Sequence, residues 1–146
     1  MFDPPSFLAY TWAMFFLKRK IKGFFQKMPD IAAVYLFGSQ AQGKANFSSD
    51  IDVAVLYEKD RVPTVFDALQ SKEELVSLLK KEVDFVVMNR ANPILKHQIF
   101  KHGIKIMDRH SQFLGRFFVQ SLMEYDDIKR VRAIIEKNIL KGRVYG

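Results

Sequence analysis

Apolar and polar positions change period several times along this chain. Over residues 5–27 the apolar side chains Phe7, Met14, Leu17, Ile21 and Phe25 fall near one face at helical spacing. This predicts an amphipathic helix whose aromatic residues turn into a core. Residues 31–37 and 51–57 are short apolar, β-rich runs of strand length. After Arg61 the pattern becomes helical again, and Ser71 followed by Glu74 has the spacing of a capping box ahead of Leu75, Val76, Leu78 and Leu79. Residues 82–88, E-V-D-F-V-V-M, read as a third strand, with Asp84 as the one carboxylate inside the run. Asn92 and Pro93 form a helix start and Gly103 a stop, and residues 104–107 form a last strand. Residues 111–141 then carry Phe113, Phe117, Leu122, Tyr125, Ile128, Val131, Ile135 and Ile139 at spacings of three to five, a long helix that Gly142 is expected to end.

Helices interleaved with short strands predict an α/β domain: a small mixed β-sheet flanked by helices, with a long C-terminal helix. The chain has 146 residues, 49% hydrophobic and 27% charged, which suits one domain with a sizeable core. Its expected parts are an N-terminal helix over 1–30, a core over 31–108 and a C-terminal helical segment over 109–146. The last helix is long for such a domain, so part of its apolar face is left to meet another chain, a second copy or a partner.

Cysteine is absent, which removes disulfide frameworks and thiolate metal sites. The apolar residues 7–17 are too few to span a bilayer, and Lys18, Arg19, Lys20 and Lys22 follow the run where a secretory signal would place its charges before it. No membrane association is expected, and the cytoplasm is the expected compartment. A net charge of +7 favours anionic ligands such as nucleotides, RNA or an acidic protein surface. The Lys and Arg clusters at 18–22 and 129–132 read as solvated helix faces, so no direct nucleic-acid binding is expected. His97, His102 and His110 do not fall at metal-ligand spacings and read as solvated, so no zinc site is expected. Arg90 and His97 make an R-x6-H pair broken by Pro93, which reads as chance.

The chemistry concentrates between the first two strands. Gly38 and Ser39 end the first apolar run, ten residues follow, and Asp50 and Asp52 flank Ile51 at the head of the second, a G-S-x10-D-x-D pattern. Side chains two apart on a strand leave the same face, so both carboxylates enter one volume. Their repulsion is relieved by a divalent cation, and all-oxygen ligation suits magnesium with substrate phosphates. Gly38 permits close backbone approach to a ligand, and Ser39 offers a hydroxyl and an N–H to phosphate. The loop reads as a magnesium–nucleotide site.

The stretch from Leu36 to Leu56 resembles the nucleotidyltransferase signature of the DNA polymerase β superfamily, specifically its smallest branch, the minimal nucleotidyltransferases of the MNT or MntA type. The resemblance implies the nucleotidyltransferase fold, with Gly38 and Ser39 contacting the triphosphate of ATP and Asp50 and Asp52 ligating two magnesium ions. In the superfamily a third carboxylate on a neighbouring strand completes the metal site, and V-D-F-V puts Asp84 there, as metal ligand and as acceptor of the attacking hydroxyl's proton. Gln40 and Gln42 depart from the pattern, since members often carry arginine at these places. Members of this branch act as antitoxins that transfer AMP from ATP to a tyrosine of a partner HEPN ribonuclease toxin. The resemblance thus implies a toxin partner, docked on the N-terminal helix or on the long helix with its Phe113 and Phe117. Two other readings are a non-catalytic partner that masks the toxin, and a nucleotidyltransferase acting on a small molecule such as an aminoglycoside or on an RNA end.

Overall fold

The strand at the centre of the fold has a partner on each edge and helices over both faces, so almost nothing on it reaches water. The structure is a computed structural model and describes residues 4–41 and 50–145. Strand β1 (Ile31–Phe37) pairs antiparallel with β2 (Ile51–Tyr57) on one side and with β4 (Ile104–Asp108) on the other. Strand β3 (Val83–Val87) pairs parallel with β2, giving a mixed sheet in the order β3-β2-β1-β4. A parallel neighbour requires a crossover. Helix α3 (Val65–Leu79) supplies it between β2 and β3.

Alternation divides the sheet into two cores. One face carries Val34, Leu36, Val53, Val55 and Val83 and packs against Leu75 of α3 and against Ile21 and Phe25 of α1 (Pro4–Gln26). The other carries Ala33, Tyr35, Ala54 and Leu56 and meets Ile99 of α4 (Pro93–His102) and Leu114 of α5 (Ser111–Tyr145). A four-residue helix, α2 (Gly38–Ala41), follows β1 directly. Among the described residues no helix is long and apolar enough to cross a membrane.

Several boundaries follow local chemistry. Asn92 caps α4, its Oδ1 accepting the Leu95 N–H at 2.8 Å. Gly103 ends α4 where a Cβ would lie 2.4 Å from the Ile99 carbonyl oxygen. After β3 the side-chain amide of Asn89 stands in for a peptide unit: Oδ1 accepts the Tyr57 N–H and Nδ2 donates to the Tyr57 carbonyl, both at 2.9 Å. At the end of α1, Arg109 donates to the carbonyls of Gln26 and Met28, which have no helical partner of their own.

Other expectations need correcting. The cap of α3 is Thr64, whose Oγ1 accepts the Asp67 N–H at 3.1 Å, and Ser71 lies inside the helix. Val65 and Phe66 belong to its first turn yet are 75% and 73% exposed, which hides the amphipathic period at that end. The aromatic residues of α1 divide: Phe25 is buried, but Trp12, Phe15 and Phe16 stand in solvent against one another, with ring centroids 5.7 to 6.3 Å apart. A 23-residue helix is ~35 Å long and a seven-residue strand only ~23 Å, so the N-terminal half of α1 has no sheet beneath it. The side chain of Phe7 lies outside the described residues.

Helix α5 continues through Gly142 to Tyr145. A glycine ends a helix when the chain gains contacts by turning back, and from Lys129 to Lys141 every residue of α5 is exposed. Phe113 and Phe117 pack on the second core, so they do not form the outward docking face expected of them. Lys96 and Glu124 tie α4 to α5 at 2.8 Å, with the Lys96 ammonium also 5.2 Å from the Phe117 ring centre. The hydrogen bond from Lys96 holds the Glu124 carboxyl below its usual range. Two of the three histidines are engaged: the His97 ring stacks on Tyr125 at 3.7 Å, and His110 Nδ1 lies 2.9 Å from Glu58. Only His102 is exposed.

Candidate functional site

The end of β1 and the starts of β2 and β3 meet at one end of the sheet. Phe37 lies opposite Asp52 in the antiparallel ladder, and Asp52 lies opposite Asp84 in the parallel one. Neighbouring strands run about 4.8 Å apart, and residues in register share a face. Asp52 and Asp84, 32 positions apart in the chain, therefore project side by side. Ile51 and Val53 point into the opposite core. Asp50 directly precedes β2 and, two residues before Asp52, falls on the same side by alternation; it and Asp84 are exposed, and Asp52 is half-buried.

Gly38 meets this group from β1. Its φ is +70°, in the left-handed region where side chains are strained, and a Cβ there would lie 2.0 Å from Asp52 Oδ2. Its absent side chain is thus the space that the Asp52 carboxylate occupies. Ser39 follows in the first turn of α2. The side chains of Ser39 and Gln40, and all of Gln42, lie outside the described residues.

Burial, and then the negative charges of Asp84 and Asp50, push the Asp52 carboxyl above the usual aspartate range. Among the described residues none of the three carboxylates has a hydrogen-bond or ion-pair partner. Repelling, unpartnered oxygen donors on one sheet face fit a hard divalent cation. As the side chains stand, no three of the described acidic or histidine groups converge closely enough to enclose an ion. The backbone register supplies the proximity of Asp52 and Asp84, and Asp50 and Asp84 are exposed.

The structure thus brings together four of the five residues singled out in the sequence, and of Ser39 the backbone. The sequence reading missed an apolar groove of about 430 Å³ between α3 and β3, on the sheet face opposite Asp84. Its residues come from 65–72 and 85–91, and no local pattern joins two such segments.

The family model for polymerase beta nucleotidyltransferases matches residues 19–112. The chain belongs to that family. The match spans all four strands of this nucleotidyltransferase and all five candidate residues. A relative, the protein adenylyltransferase MntA of Shewanella oneidensis (strain ATCC 700550 / JCM 31522 / CIP 106686 / LMG 19005 / NCIMB 14063 / MR-1), is 28% identical over 113 residues, covering 77% of this chain and 79% of MntA. A crystal structure of a toxin–antitoxin with AMP-PNP superposes with a TM-score of 0.73 at 27% identity, over 84% of this chain and 98% of the other. A crystal structure of the toxin–antitoxin MntA–HepT gives a TM-score of 0.69 at 25% identity, over 86% and 97%.

Proposed function

We propose that this nucleotidyltransferase is an antitoxin that transfers AMP from ATP to a tyrosine hydroxyl of a cognate HEPN ribonuclease toxin, acting beside it in the cytoplasm. The observation that carries the chemistry is the register of Asp52 with Asp84, next to Asp50 and the space kept by Gly38. The protein acceptor is supported by the MntA relative, a protein adenylyltransferase, and by the toxin–antitoxin structures of the same fold.

Asp50 and Asp52 would hold two magnesium ions, with Asp84 completing one of them. Such ions, when bound, neutralise the charge on the phosphates and stabilise the attacking and leaving oxygens of an in-line displacement. The chain's own residues do the rest. Gly38 and the first turn of α2 bring backbone to the triphosphate. Asp84, on the strand farthest from β1 and exposed, accepts the phenolic proton of the acceptor. The phenolic oxygen bonds to the α-phosphorus, the bond from that phosphorus to the bridging oxygen breaks, and pyrophosphate leaves. A new phosphodiester places negative charge on the toxin, which opposes binding of the RNA backbone.

Intact mass of the toxin recovered from co-expression tests the reading: it is expected to rise by whole AMP units, and its ribonuclease activity to stay low after the two proteins are separated. An unchanged mass with activity returning on separation would support masking instead. Asp84→Asn is expected to lower the single-turnover rate by about 10²- to 10⁴-fold while leaving MgATP affinity within a few-fold, because it removes a proton acceptor and spares the aspartate pair. A large loss of affinity at an unchanged rate would remove Asp84 from that role.

A further inference from the structure

Among the described residues strand β3 ends the sheet, with no strand beside its outer edge. The Ile51 N–H donates to the Glu82 carbonyl at 3.0 Å, which sets the phase of the parallel ladder. Asp84 and Val86 turn their backbone groups toward β2, while Phe85 and Val87 turn theirs outward. An outward row of N–H and C=O groups is a template for another extended chain. The groove runs alongside, lined by Val65, Ala68 and Leu69 of α3 and by Phe85 and Val87, with Lys72 and Arg90 also in its wall.

We propose that the acceptor protein docks by adding an extended segment, its tyrosine included, as a fifth strand along the outer edge of β3. This rests on the protein-adenylyltransferase reading above. A strand paired there sends alternate side chains to opposite faces. Those on the α3 side enter the apolar groove as anchors. Those on the other side share the face of Asp84 and Asp52, where a tyrosine hydroxyl meets its proton acceptor. Backbone left without a neighbouring strand among the described residues fits an extended occupant, and the presence of Asp84 on the same strand makes that occupant the acceptor. Lys72 and Arg90 favour acidic residues in the flanking segment, and Arg90 is held in place by donating to the Pro63 carbonyl.

Amide hydrogen exchange of the full-length protein, alone and with the toxin encoded beside it, tests the docking directly. Exchange at Phe85 and Val87 is expected to slow at least tenfold in the complex, while Asp84 and Val86, already bonded to β2, change little. Protection confined to α1 or α5 would overturn the proposal, as would protection of β3 in the protein alone that grows with its concentration, the sign of a second copy on this edge. Val87→Pro removes one outward N–H without touching the ladder, at a φ of −86° that proline nearly matches. Leu69→Asp alters the groove and leaves the backbone whole. Each is expected to raise KM for the toxin at least tenfold with MgATP affinity unchanged, and wild-type KM in both folded variants would overturn the proposal. Edge protection without AMP transfer would instead overturn the transfer reading and leave the docking intact.

Discussion

Asp52→Asn is expected to reduce nucleotidyl transfer about 10³-fold or more and, in the absence of nucleotide and metal, to raise the melting temperature. The first effect follows from the proposed role of Asp52 in holding magnesium: metal-ion stabilisation of the displacement is worth several kcal/mol, and each 1.4 kcal/mol is about tenfold in rate. The second follows from the cost of that charge in the free protein, where burial and the carboxylates of Asp84 and Asp50 raise the Asp52 carboxyl above its unfolded value. A group raised in the folded state binds its proton more tightly there. Below its unfolded pKa the penalty is absent, and it grows as pH rises through the interval up to the raised folded value. The wild-type protein should therefore lose stability relative to Asp52→Asn as pH climbs from the ordinary aspartate range, and the difference should hold at neutral pH. Magnesium with ATP should reverse the order by stabilising only the wild type. Thermal melts of both proteins from pH 3.5 to 7.5, paired with transfer assays, check this. Equal transfer, or a less stable variant throughout, would refute the assignment.

Gly38→Ala is expected to cost about 10²-fold in transfer with the fold retained. The methyl group would claim the position of Asp52 Oδ2, 2.0 Å away, and the carboxylate is the partner that must yield, because it is a half-buried side chain and Gly38 is backbone. A misplacement of about 1 Å at a reacting centre is enough for a loss of that size. Holding alanine at a positive φ adds about 1–2 kcal/mol of strain, which a melt would detect as a modest loss of stability. Circular dichroism, the melt and single-turnover transfer together separate the two effects. A variant with wild-type transfer would show that Gly38 serves the turn alone.

These two residues also show what could be read before the fold was known. Gly38, Asp50 and Asp52 stand close in sequence, and alternation along a strand is a local rule, so shared direction of the two aspartates needs no tertiary information. The strand limits of β1 and β2 and the Asn92–Pro93 helix start are local in the same sense. The role of Gly38 was only half legible: a glycine there signals close approach, but the group approached is Asp52, across a strand pairing. Asp84 was visible as an unusual carboxylate in an apolar run, and its place beside Asp52 needed the parallel register of β2 with β3.

Burial was the least legible property. Phe25 and Phe15 look alike in the helical pattern of α1, yet one is buried and the other stands in solvent, because the helix outruns the sheet that covers it. Phe117 was expected to face outward and packs inward, and Gly142 was expected to end a helix that continues, because no neighbouring element rewards a turn there. The sequence by itself determined the period of each segment, the caps at Asn92 and Gly103, and the residue types of the site, since these depend on interactions within a few residues. Only the tertiary structure decided which faces are covered, which carboxylates adjoin, and that β3, the last strand of the sheet among the described residues, adjoins an apolar groove, since each of these depends on surfaces brought together from distant parts of the chain.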